Sequence, residues 1–361
     1  MKRFAGKPAL QQRVLPTYRA PFFDLLASAC DGGMSLFTGL PRPSEGITTT
    51  DQLQITNYHL GNNIHLFGGS LYLCYQRGLI GWLEEWNPDA LIVEANPRYL
   101  STPAAVTWMN KRDRPVIGWG LGAPPVSGFR ERRRVAFLRQ FDAMISYSQR
   151  GADEYASHGF PLDHLYVAHN SVSPSPTWEI PIRPDSFREN PCVLFVGRLQ
   201  SRKNIDFLLG ACAEIQNIRL VIVGDGSERD ALEELAREIY PTAEFLGSLH
   251  GDELKARFAE ADLFVLPGTG GLAVQEAMSH GLPVIVAQGD GTQDDLVRNE
   301  NGWQVPPDDF DALVSIMRDA LSDAARLRRM GAESYRIVKE EINIGRMADV
   351  FVDALNALTV K

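Results

Sequence analysis

The chain has 361 residues, 44% hydrophobic and 22% charged, a composition of soluble globular proteins and a length that allows two domains, each with its own core. Its formal net charge of −9 argues against a general affinity for nucleic acid and leaves small molecules as the expected partners. Cys30, Cys74, Cys192 and Cys212 lie in apolar segments with no C-x-x-C pair, and neither a signal-peptide core nor an apolar run of about 18 residues occurs, so buried free thiols and a cytoplasmic location are expected.

In chain order, residues 9–15 read as a first strand. Residues 17–29 read as a cap, a loop with Tyr18 and Arg19, and an amphipathic helix that Pro21 opens. Residues 34–39 are a second strand, and the polar, turn-rich stretch 41–61 is a long loop or small excursion. A helix is predicted over 71–86, then a strand at 90–95, a helix from Asn96 through Met109, and a strand in RPVIGWG. DAMISYS and LYVAHN continue the alternation with the helix GADEYASHG between them. Strands alternating with helices of this length mean a parallel, doubly wound sheet, in which ligands sit at the carboxyl ends of the strands.

Between Ser171 and Asn190 four prolines interrupt the periodicity, which reads as an interdomain linker. A second alternating series follows through CVLFVG, RLVIVG, AEFLG, LFVLPG, PVIVAQ and WQVPP. The expected organisation is residues 1–170 as one Rossmann-like domain, 171–190 as linker and 191–341 as a second, with a last amphipathic helix at about 342–361.

The most informative stretch is VLPGTGGLAVQEAMSHGLP, residues 265–283. It predicts a buried strand end, a turn through Gly268, Thr269, Gly270 and Gly271, and a short helix from Leu272 that Gly281 stops. Such a turn brings backbone close to a ligand at a helix start, where amide groups favour a phosphate. Glu276, one turn further, is placed to accept hydrogen bonds from ribose hydroxyls. GRLQSRKN, from Gly197 to Asn204, sets Arg198 and Lys203 at another strand-to-helix turn, two cations that would neutralise a diphosphate.

Arg198 with Lys203, then GDG from Gly224, then FLGSL, then GLAVQEAM ending in GLPVI, resemble in order and spacing the donor half of family-4 retaining glycosyltransferases of the GT-B fold. The resemblance covers about residues 192–308 and implies two doubly wound Rossmann-like domains facing a central cleft. It implies a nucleotide-sugar donor of the UDP or GDP type, an acceptor-side first domain onto which the last helix crosses back, and Ser248 and Leu249 at the base edge through backbone groups. Front-face departure is also implied, the leaving phosphate taking the acceptor's proton. One position departs from the pattern: the first glutamate of the family's Glu-x7-Glu falls on Gly268, with Glu276 at the second. Sugar recognition by that first side chain is therefore unavailable, whereas nucleotide binding is untouched.

Other segments leave two readings open. GWGLGAPP either aims the amides of Gly120, Leu121 and Gly122 at a ligand or is a Gly-Pro turn, and Leu121 stands where some family members carry a His. His169 and Asn170, like Arg19, either line the cleft or serve the structure. Residues 129–141 hold five arginines on a helix; a solvated basic face is the preferred reading, and peripheral contact with an anionic membrane is the other. GDGTQDD is expected to cap the helix after it. His158, His169 and His280 lack metal-site spacing, no cofactor is expected, and no G-x-S-x-G, P-loop or G-x-G-x-x-G pattern is present. A glycosyltransferase is the leading reading; a GT-B epimerase or phosphorylase and a non-catalytic sugar-nucleotide binding module are the alternatives.

Overall fold

In the computed structural model, residues 2–187, 189–270, 272–289 and 291–359 are described. The elements are β1 (Pro8–Val14), α1 (Ala20–Ser28), β2 (Ser35–Gly39), β3 (Asn57–Leu60), β4 (Asn62–Leu66), β5 (Leu73–Arg77), α2 (Leu79–Trp86), β6 (Ala90–Glu94), α3 (Thr102–Asn110), β7 (Val116–Gly120), α4 (Phe129–Leu138), β8 (Ala143–Ser146), α5 (Gln149–Ser157) and β9 (Leu165–Val167). They continue with β10 (Cys192–Val196), α6 (Ile205–Ile215), β11 (Arg219–Val223), α7 (Arg229–Ile239), β12 (Glu244–Phe245), α8 (Gly251–Glu260), β13 (Leu263–Leu266), α9 (Leu272–Ser279) and β14 (Val284–Ala287). The last are α10 (Thr292–Leu296), β15 (Gly302–Val305), α11 (Phe310–Ala320), α12 (Ala324–Arg336) and α13 (Ile344–Thr359). The chain divides into two compact units, one of Met1–Val172 with Ile344–Lys361 and one of Ser173–Asn343.

The first unit is built on a parallel sheet in the order β3-β2-β1-β6-β7-β8-β9. Its strands β6, β7 and β8 are apolar nearly throughout because helices cover both faces. On one face α1 and α13 pack together through Phe22, Phe351 and Trp119, with ring centroids 5.1 Å apart for Phe22 and Phe351 and 4.9 Å for Trp119 and Phe351. On the other, Trp82, Val106, Met109, Leu138 and Tyr155 close the second core.

The helix expected over 71–86 is two elements. Residues 73–77 form β5, which pairs antiparallel with β4 (Ile64 opposite Tyr75, Leu66 opposite Leu73), and only 79–86 are helical. Gly78, at φ 96°, makes the break, since a left-handed residue cannot continue either element. The expected loop at 41–61 ends in β3, which pairs parallel with β2 at the sheet edge. Residues 96–101 are turns rather than helix; Tyr99 bridges to Cys74, and α3 begins at Thr102 with Pro103 in its first turn.

The second unit repeats the plan with the parallel order β12-β11-β10-β13-β14-β15. Val193, Leu194, Phe264, Val265, Ile285 and Val286 form its fully buried centre. The order reverses between β10 and β13, which are neighbours although α6, β11, α7, β12 and α8 lie between them in the chain. In open parallel sheets of this kind the carboxyl edge at such a switch point is where ligands are reached. The first unit has the same switch between β1 and β6.

Candidate functional site

Two loops leave the second unit's switch point, 197–204 after β10 and 267–271 after β13. Gly268 is where they touch: a Cβ there would lie 2.3 Å from the Arg202 carbonyl oxygen and 2.4 Å from Lys203 Cα. At Gly268 backbone fills the space a side chain would need. Across this contact the Thr269 amide donates to the Arg202 carbonyl at 3.0 Å, and Lys203 Nζ donates to the Thr269 carbonyl at 2.6 Å. The Thr269 amide is therefore engaged within the protein. Gly270 has φ 94° and would put a Cβ 2.9 Å from Lys203 Nζ. Gly271 lies outside the described residues, and Leu272 is half-exposed at the start of α9.

Lys203 is 8% exposed. Burial, then the positive charges of Arg202 and Arg198, lower its ammonium to about 8. The chain positions it firmly: Ser201–Lys203 is a single 3-10 turn closed by Asn204 at φ 50°, whose side chain donates to Asp308 at 2.9 Å. Arg198 is exposed at the end of β10. A buried ammonium among like charges is a site that a diphosphate would relieve.

The remaining loops hold the edge together. Gly197 donates to the Val223 carbonyl at 3.0 Å and Gly224 to that of Gly247 at 2.8 Å; Gly224, at φ 136°, approaches so closely that a Cβ would lie 1.8 Å from the Gly197 carbonyl oxygen. Ser248 is exposed and Leu249 packs partly against the core. Glu276 is half-buried on α9. Burial holds its carboxyl above the usual glutamate range, opposed by the charges of Lys255 and His250. Arg202, His250 and Lys255 were not singled out from sequence. Arg202 stands beside Lys203 and His250 directly follows FLGSL, so adjacency to those motifs was the available signal.

The first-unit residues have structural partners. Gly120 is packed against Tyr155 and Gly122 donates its amide to the Tyr155 hydroxyl at 3.1 Å, with Glu154 where its Cβ would stand. Leu121 between them is exposed. Arg19, buried among Tyr18, Trp119 and Tyr147, donates to the Ser171 carbonyl at 3.0 Å and to the Asn170 side chain, tying the end of β9 to α1. His158 lies 2.9 Å from the Ala123 carbonyl, and His280 stacks on Phe258. Among the described residues no group of three His, Cys, Asp or Glu could hold a metal ion. α10 has Gly291 at its N-cap with no side-chain cap bond, so GDGTQDD does not cap it through a side chain in the described residues.

A cavity of about 1080 Å³ lies at the opposite, amino edge of the second sheet, lined by Arg183, Arg219, Asp262 and Arg328 among others. Two of these arginines are paired with carboxylates. Arg219 pairs with Glu244 at 2.7 Å, Arg328 with Asp262 at 2.6 Å, and Arg183 donates to the carbonyls of Phe258 and Ala261 at 2.7 Å each. Arg183, like Lys203, is a cation bonded to carbonyls, its guanidinium lowered to about 10 by burial and then by the charge of Arg328.

Residues 177–337 match the family described as Glycosyl transferases group 1. A GDP-mannose-dependent alpha-mannosyltransferase of Corynebacterium glutamicum is 29% identical over 72% of this chain and 65% of its own length. A mannosyltransferase of the same description from Mycobacterium tuberculosis is 32% identical over 59% of this chain and 57% of its own. The chain thus spans less than two thirds of either relative. Among solved structures, the lipopolysaccharide outer core galactosyltransferase WaaB superposes with a TM-score of 0.70 at 16% identity, over 97% of this chain and 99% of that one. Anabaena HepE in complex with UDP superposes with a TM-score of 0.71 at 15% identity, over 99% and 100%. At these identities the structures establish the fold alone, GT-B with two Rossmann-like units, and the residues that match the glycosyl transferases group 1 model lie in the second.

Proposed function

We propose that the protein is a metal-independent glycosyltransferase that moves a sugar from a nucleotide-sugar donor to an acceptor with retention at the anomeric carbon, in the manner of family 4. The observation that carries this reading is Lys203, a buried ammonium lowered to about 8 and bonded to a neutral carbonyl at the switch point of the second sheet. The second unit takes the donor. Its diphosphate lies against Lys203, Arg198 and the turn from Gly268 through Leu272, its ribose on Glu276 and its base along Ser248 and Leu249. The GDP-mannose dependence of the mannosyltransferase relatives and the UDP bound to HepE support a nucleoside diphosphate of either base.

In the reaction the bond from the anomeric carbon to the phosphate oxygen breaks and charge builds on the leaving diphosphate. Lys203 and Arg198 stabilise that charge. The acceptor hydroxyl attacks the face the leaving group vacates, and its proton passes to the departing phosphate oxygen, so Leu121 in place of a His is no obstacle. The acceptor belongs to first-unit loops, residues 18–22, 41–61 and 94–99.

The test is nucleotide release from a panel of UDP and GDP sugars with and without acceptors. Lys203→Ala should cut turnover by about 100-fold or more while the protein stays folded, as expected where an interaction with developing charge is lost. Unchanged turnover would refute the role. A second reading, a binding module, is favoured by Gly268, where no side chain can reach a donor sugar. Donor binding with no release for any donor and acceptor pair would select it.

A further inference from the structure

The loops 197–204 and 266–272 of the second unit contain Arg198, Arg202 and Lys203 and no Asp or Glu. Arg202 is exposed, and its backbone carbonyl accepts the Thr269 amide at 3.0 Å, which fixes the residue against the turn. Its side chain reaches the same turn: the point where a Cβ on Gly270 would stand lies 3.6 Å from Arg202 Nη1 and 2.9 Å from Lys203 Nζ. Two like charges converge on one glycine. Arg202 accordingly leads the charges that depress the Lys203 ammonium. The described partner of its guanidinium is neutral, the Gln200 side chain, to which Nε donates at 3.1 Å. Acids on neighbouring loops are engaged elsewhere or belong to other elements. Asp225 holds the Gly226 amide at 2.7 Å and Arg229 at 3.5 Å, Asp308 holds Asn204 at 2.9 Å, and Asp294 and Asp295 lie in the first turn of α10, after β14.

Placement separates Arg202 from the nucleotide end of the donor. The sheet order β12-β11-β10-β13 puts loop 247–250, which leaves β12, on one side of β10 and the turn after β13 on the other. Glu276 feels the charges of His250 and Lys255, so its carboxyl turns toward the 247–250 side. Base and ribose therefore take that side, and the Gly270 side is left to the sugar. Lys203 is buried beneath the turn and Arg202 stands exposed beside it, so a donor whose diphosphate rests on the lysine carries its sugar to the guanidinium. What waits there is a set of donors. Gly268 and Gly270 have no side chain, and Gln200 Oε1 is taken by Arg202. Hydroxyls of a neutral sugar must donate as well as accept, whereas a carboxylate only accepts and matches the planar fork of a guanidinium through two parallel N–H bonds.

We propose that the donor sugar is a uronate whose carboxylate is held by Arg202. The proposal rests on the donor site of the second unit, and one experiment tells their failures apart. UDP-glucose and UDP-glucuronate, which differ only in a hydroxymethyl group oxidised to a carboxylate, are titrated calorimetrically into the full chain, as are GDP-mannose and GDP-mannuronate. The proteins are wild type, Arg202→Gln and Lys203→Met. Wild type should bind the uronate of a pair about tenfold or more tightly than its neutral partner, the expected gain from a charge-assisted bidentate bond. Arg202→Gln should abolish that preference without changing the melting temperature, because the side chain it replaces is exposed. Lys203→Met should weaken both members of a pair alike. A neutral sugar bound as tightly as its uronate by wild type, or a preference that survives in Arg202→Gln, overturns the proposal and leaves the donor site standing. Binding of none of these donors removes the donor site and the proposal with it.

Discussion

The two units share a strand order and a switch point, yet the chemistry at the two switch points has opposite character. In the first unit, Glu94 at the end of β6 is fully engaged: it accepts from the Arg13 amide and the Tyr99 hydroxyl at 2.9 Å each, and Arg13 pairs with Glu45 at 2.8 Å. In the second unit Lys203 is as deeply set, but its described bond is to a carbonyl and the charges around it are positive. A shared fold therefore fixes where a ligand is reached, and the balance of charge at that place separates a closed structural network from a site that needs a ligand.

The sharpest way to break this comparison is to remove one residue from each side. Lys203→Met should weaken nucleoside diphosphate binding on the order of 100-fold, as for a lost charged hydrogen bond, without lowering the melting temperature, since burial of that ammonium opposes folding. Glu94→Ala should do the reverse, costing about 2 kcal/mol of stability by stranding two buried donors while nucleotide affinity holds. Calorimetric titration and thermal melts of both variants check the pair.

Gly268→Ala tests the backbone contact beneath the site. A Cβ 2.3 Å from the Arg202 carbonyl must push the loops apart, so we expect a loss of about 1–3 kcal/mol in stability, read by denaturant unfolding, together with weaker nucleotide binding. Gly122→Ala, forced against Gly151 at φ 134°, should lose stability with no change in nucleotide affinity. Smaller still, Glu276→Gln should weaken a ribonucleotide by about 1–2 kcal/mol and the matching 2′,3′-dideoxy form hardly at all. Equal losses for both forms would remove Glu276 from the ribose.

The pH dependence follows from Lys203. Nucleotide affinity should fall as pH rises through about 8, where the ammonium loses its proton. Stability should move the other way. The unfolded lysine keeps its proton up to its ordinary 10.5, so between about 8 and 10.5 the unfolded chain binds more protons and this group's contribution to stability rises with pH. The difference between wild type and Lys203→Met across that window isolates it.

Much of this was legible in the sequence where one signal dominates. The strands β6, β7, β10, β11, β13 and β14 are short, mostly apolar runs, which is how a doubly covered parallel strand reads, whereas β1 carries Gln11, Gln12 and Arg13. Residues 62–77 misled because their apolar positions serve the outside of a hairpin and their polar ones the inside, the reverse of what burial patterns assume. At the site, the types and spacing of Arg198, Lys203 and Glu276 were visible. That the Arg202 carbonyl occupies the Cβ space of Gly268 was not, since the two are 66 residues apart and meet only across the switch point. The same holds for the bond from the Gly122 amide to the Tyr155 hydroxyl, which joins residues 33 apart in the chain.

The most direct test of the central claim is hydrogen exchange of the full-length protein with saturating UDP or GDP. The account predicts protection concentrated in the second unit's carboxyl edge, in peptides spanning 197–204, 247–250 and 266–276, and lost in Lys203→Met. Protection that instead centres on the amino-edge cavity around Arg183 and Arg328, or that persists in Lys203→Met, would contradict it.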